Sequence, residues 1–179
     1  MVDTKRPPTE REVRALRADA QISIALNYLR QGRYREALPV FEELLDENPR
    51  NPRALMGLGL VLGRLGRFDE ALDAVSQLRE VDPDSGRPYN TRATIHEYMG
   101  LLEEAEHDFE LALTLEPDDA AHHYNYACFW ARQKNAEKVR YYLAEALRLK
   151  PGSNAFAATD DDFAAYRDEE WFQELVAFK

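Results

Sequence analysis

The chain has 179 residues, 45% of them hydrophobic, and a formal net charge of −10 at pH 7. That is enough apolar material for a compact body, but no stretch approaches the roughly 20 apolar residues that a bilayer span needs; the longest, Ala54 to Leu62, is interrupted by Gly57 and Gly59. The acidic balance argues against a nucleic-acid partner, whose phosphates would be repelled, and Cys128, the single cysteine, allows no internal disulfide and points to a reducing compartment, the cytosol.

Taken in order, the opening MVDTKRPPTERE has no apolar core behind its charges, so no secretory leader is expected. Residues 1–8 read as a disordered tail closed by Pro7 and Pro8. Thr9-Glu10-Arg11-Glu12 has capping-box spacing, with the threonine accepting from backbone N–H groups and the glutamate reaching back. A helix from there runs to about Gln31, with Val13, Leu16, Ala20 and Ile24 as its expected inner stripe. Its extra turns are expected to cap the N-terminal end of the helices after it.

The next stretch, Gly32 to Pro49, sets the pattern for the rest. Tyr34, Ala37, Leu38, Phe41, Leu44 and Leu45 fall on one helical face. The glycine opens the helix as a turn and Asn48-Pro49 ends it, because proline disfavours α geometry in the residue before it. The arrangement recurs as Gly66, Phe68, Ala71, Leu72, Val75, Leu78, Pro83 and as Gly100, Leu102, Ala105, Phe109, Ala112, Pro117. Pro49, Pro83, Pro117 and Pro151 are each 34 residues apart. A fixed period of this length, holding two helices and two turns, is the mark of a helical-repeat array.

Aligned on that period, segments 18–51, 52–85, 86–119 and 120–153 resemble tetratricopeptide repeats. The small residue of helix A is Ala25, Gly59, Ala93 and Ala127; the large residue late in helix A is Tyr28, Leu62, His96 and Trp130. On helix B the small residue is Ala37, Ala71, Ala105 and, as a departure, Val139, with Phe41, Val75, Phe109 and Leu143 as its bulky partner. Small residues let the helices of a hairpin approach, and large ones fill the holes between them. The resemblance implies an all-α, right-handed α-solenoid of four helix hairpins, preceded by a tail and helix extension (1–17) and closed by a capping helical segment (154–179).

Two departures stand out. Pro39 lies inside helix B of the first repeat and removes the hydrogen bond to the carbonyl of Arg35 near the helix start, predicting a mild kink and no break. The fourth repeat has Lys134-Asn135 in place of the turn glycine, with asparagine expected to take the left-handed conformation. Its helix A, HHYNYACFWARQ, is aromatic enough to pack on something other than a fifth repeat, and the C-terminal segment is the candidate. There Thr159 to Asp162 are expected to cap a short helix through Tyr166. Asp168 is expected to cap a second, with Trp171, Leu175 and Phe178 on one face. The run DDDFAAYRDEEWFQEL resembles the end of many bacterial tetratricopeptide arrays, and its acids read as caps of a soluble lid.

No catalytic constellation emerges. His96-Glu97-Tyr98-Met99-Gly100 begins like the zinc-protease motif HExxH but has glycine for the second histidine. His122 and His123 point about 100° apart on a helix and lack a third ligand. Gly57-x-Gly59 follows no strand, so it is no dinucleotide loop. Cys128 has no base beside it in the sequence and reads as a small apolar side chain. No cofactor or metal is expected.

Surfaces remain. The resemblance places the helix-A side of the array on a concave groove for a protein or peptide partner. It assigns to that face Ile22, Leu26, Leu29 and Arg30; Met56, Leu60, Gly63 and Arg64; Arg87, Asn90, Thr94, Glu97 and Tyr98; and Tyr124, Cys128, Ala131 and Arg132. Members that clamp a chaperone's C-terminal carboxylate carry lysine and asparagine where this chain has Ile22 and Leu26, so such a ligand is not expected. Arg30, Arg64 and Arg132 share one repeat position and form a candidate guanidinium rail for a partner's carboxylates. The reading is of a non-enzymatic interaction module, with self-assembly into a homo-oligomer as the alternative.

Overall fold

The structure, a computed structural model, describes residues 6–177; the expected disorder of residues 1–5 and the place of Phe178 lie outside them. Ten α-helices and one 3-10 helix make up the described chain. In order they are α1 (Glu10–Arg30), α2 (Tyr34–Glu47), α3 (Pro52–Arg64), α4 (Phe68–Val81), α5 (Arg87–Met99), α6 (Leu102–Leu115), α7 (Ala120–Arg132) and α8 (Ala136–Leu149). The C-terminal segment adds α9 (Asn154–Thr159), the 3-10 helix (Asp161–Tyr166) and α10 (Glu170–Val176). The chain divides into two units, residues 1–82 and 83–179.

The local signals act as expected in α1 and α2. Thr9 accepts from the Glu12 N–H while the Glu12 carboxylate accepts from the Thr9 N–H, completing the capping box of α1. Pro39 leaves α2 continuous from Tyr34 to Glu47, because the bond it removes lies in the first turns. The A-to-B turn after α5 is closed by Gly100 at φ 80°, with the Leu101 N–H donating to the His96 carbonyl. In the fourth repeat the left-handed residue is Lys134 (φ 58°), not Asn135. Asn135 instead caps α8, its side chain accepting from the Lys138 N–H. The asparagine is worth more as a cap than as the turn residue.

In the first unit, α1 to α4 form two hairpins around Ile22, Ala25, Ala37, Phe41, Ala54 and Val61. Phe41 of α2 lies flat against Gly57 of α3, where a Cβ would come within 2.3 Å of its ring. In the second unit, α5 to α8 form two more hairpins, and the aromatic helix α7 is their centre: Phe109, Tyr126, Phe129 and Trp130 pack with Val139 and Leu143. The Phe109 ring stacks on Tyr126 with centroids 5.1 Å apart. The small and bulky repeat positions read from the sequence are buried throughout both units; the late helix-A positions vary, with Leu62 and Trp130 buried and Tyr28 and His96 only half-buried.

Two expectations fail. Val13, Leu16, Ala20 and Ile24 are on the outside of α1: Leu16 is 66% and Ile24 51% exposed. The inward stripe of α1 is Ala18, Ile22, Ala25 and Leu29, so the stripe expected to face inward is turned outward. In the tail, α10 starts from Glu169 with no side-chain cap, not from Asp168, and a short helix, α9, precedes the one expected after Thr159. The buried anchor of α10 is Phe172, with Trp171 and Leu175 only half-buried around it.

Candidate interaction surfaces

In the first unit, α1 and α3 lie side by side and bring the assigned A-helix residues together. Leu26, Leu29, Met56 and Leu60 are half-buried, while Arg30 and Arg64 are exposed. The Arg64 guanidinium lies 5.9 Å from the centre of the Tyr34 ring, within reach of a cation–π contact. Ile22 and Gly63 belong elsewhere. Ile22 is 1% exposed and sits in the core of the unit, and Gly63 is buried within α3, so the face that the resemblance gave them is closed.

In the second unit, α5 and α7 are joined by polar bridges. The Asn125 amide donates to Asn90 Oδ1 at 2.6 Å, and the Thr94 hydroxyl turns back to the Asn90 carbonyl. Asn90 is therefore a buried structural polar group, with Tyr98 half-buried further along the same helix. Arg87 and Glu97 are also partly buried.

Of the remaining residues of this face, Tyr124, Cys128 and Ala131 lie under the chain's own tail, and Arg132 meets the tail at its exposed edge. The Tyr124 hydroxyl donates to Asp160 Oδ2 at 2.7 Å, and Phe163 meets the Tyr124 ring edge-on with centroids 5.7 Å apart. Arg132 grips Glu97 through Nε and Nη2, at 2.6 and 2.7 Å, and Asp162 through Nη1 at 2.5 Å. Burial alone would lower the affinity of that guanidinium for its proton, but the pairs with Glu97 and Asp162 outweigh it and raise it further. Burial also pushes the Tyr124 hydroxyl upward, and the bond to Asp160 adds to this. Cys128 and Ala131 are buried between these groups. Desolvation, together with the carboxylates of Asp162 and Asp160, holds the Cys128 thiol well above its ordinary value, so it is no thiolate nucleophile.

Sequence reasoning missed Asp160, Asp162 and Phe163 as occupants of this face. Their signal was present, since Asp160 does cap the 3-10 helix by accepting from the Asp162 N–H. A capping aspartate has a second oxygen, however, and that oxygen serves Tyr124.

Two groups of side chains approach one another as metal ligands do: Cys128, Asp160 and Asp162, and Glu116, Asp119 and His122. In the first, Tyr124 and Arg132 already occupy the carboxylates. In the second, Glu116 Oε2 meets Ser85 Oγ, the Gly86 N–H and His122 Nε2, while Asp119 Oδ1 accepts from the Ala121 and His122 amides. These oxygens spend their lone pairs on protein donors. His123 turns away to the Pro117 carbonyl. None of the described helices is long and apolar enough to cross a membrane.

The comparisons with known proteins agree with this architecture. A curated human protein, tetratricopeptide repeat protein 6, is 26% identical over 132 residues; that match takes in 74% of this chain, which spans only 25% of that protein's length. Among solved structures, a thermophilic TPR protein of Thermus thermophilus superimposes with a TM-score of 0.64 at 22% identity, over 89% of this chain and 86% of that one. The anaphase-promoting-complex hetero-tetramer Cut9–Hcn1 gives a TM-score of 0.63 at 17% identity, over 88% of this chain and 32% of its own. These likenesses establish the all-α repeat fold. The family model described as tetratricopeptide repeat matches residues 22–87 and 90–154, most of the chain, and the protein belongs to that family.

Proposed function

We propose that this chain is a non-enzymatic protein-interaction module, and that its binding face is the A-helix side of the first unit. An extended peptide or helix of the partner lies over Leu26, Leu29, Met56 and Leu60, with a carboxylate turned toward Arg30 or Arg64. Half-buried apolar side chains supply most of such binding energy, and an arginine fork supplies orientation.

The observation that carries this reading is Arg132. It stands at the same repeat position as Arg30 and Arg64, and its guanidinium already holds an incoming carboxylate, Asp162 of the tail. The fourth repeat thus takes an acidic-aromatic segment in cis, with Phe163 packed on Tyr124 beside the ion pair. The first unit presents the same arginine position beside an apolar floor. In the second unit the equivalent A-helix positions, Asn90, Thr94 and Tyr98, are polar and offer no such apolar floor. The cytosol suits the buried, unoxidised Cys128.

The test is affinity capture with the intact chain, followed by measurement of binding to the captured protein. Leu60→Glu places a charge on the apolar floor and should abolish capture with helicity unchanged. Arg64→Glu should weaken binding by about 2 kcal/mol and reduce its salt dependence. A partner bound equally well by both variants would remove this face from consideration.

A further inference from the structure

We draw no further inference here: the strongest candidate, the groove of about 440 Å³ between the start of α7 and α9, floored by Ala121, Tyr124, Ala146 and the exposed Phe156, carries nothing, because Asp118 and Asp119 share its lining with Lys150, so that its charge selects no one partner, and nothing in the structure shows what covers it.

Discussion

Gly57 illustrates how one side chain, or its absence, sets the approach of two helices. Glycine inside a helix is ordinarily a cost of about 1 kcal/mol relative to alanine. Here a Cβ would come within 2.3 Å of two Phe41 ring atoms, and that ring is fully buried with no room to swing away. Overpacking then outweighs propensity, so Gly57→Ala should destabilise the protein by about 1–3 kcal/mol, measured as a drop in the urea midpoint. A neutral or stabilising result would mean that helix propensity governs this site. Tyr124, Cys128 and Arg132 make the corresponding point about function: their types could be read from the sequence, but their neighbour could not. The carboxylates that meet Arg132 and Tyr124 on the fourth-repeat face lie 30 and 36 positions away. A helical period describes one face of one helix, and it carries no information about which distant segment lands there.

At the scale of elements, the repeating hairpins were legible because their signals are local. Turn glycines, Pro49 and its equivalents, and alternating small and large apolar residues each act within a few positions. The ends of the array were less legible for a physical reason. Helix α1 carries two apolar stripes, Ala18–Ile22–Ala25–Leu29 and Val13–Leu16–Ala20–Ile24. Periodicity alone cannot say which of two apolar stripes on one helix is inward. In the tail, acidic residues suited several helix starts equally, and tertiary packing of Phe163 and Phe172 selected the ones observed.

The junction before α5 offers a test at this same scale. Glu116, just past α6, meets Ser85, the Gly86 N–H and His122, and so ties together three elements. Burial pushes its carboxyl up, but the bonds from His122, Ser85 and Gly86 outweigh it and leave it below the ordinary 4.5. A depressed carboxylate contributes stability that is present above the unfolded value and lost as pH falls through the folded one. Wild type should therefore exceed Glu116→Gln in urea midpoint at neutral pH, and the gap should narrow as the pH drops below about 4.5. A gap that stays constant down to about pH 3 would show that the carboxylate is not held in this junction.

At the scale of the whole molecule, the two units are unequally built. The second buries Phe109, Tyr126, Phe129, Trp130, Phe163 and Phe172 in one cluster, whereas the first has Phe41 as the fully buried aromatic among its described residues. Large aromatic side chains dominate core energetics because each removes some 150–250 Å² from water. The first unit also ends on α1 with its outer stripe exposed, while the last hairpin is covered by α9, the 3-10 helix and α10. Repeat arrays gain stability from each repeat and each interface between neighbours, so an uncovered end lacks one such contribution. Opening free energy should therefore rise along the chain. In native-state hydrogen exchange, amides of α1 and α2 should exchange through openings at least about 2 kcal/mol easier than those of α7, and urea should expose α1 before it disturbs the Trp130 environment. Equal protection in α2 and α7, with coincident helicity and tryptophan transitions, would mean that the array unfolds as one unit. In that case the aromatic cluster would stabilise all four hairpins together.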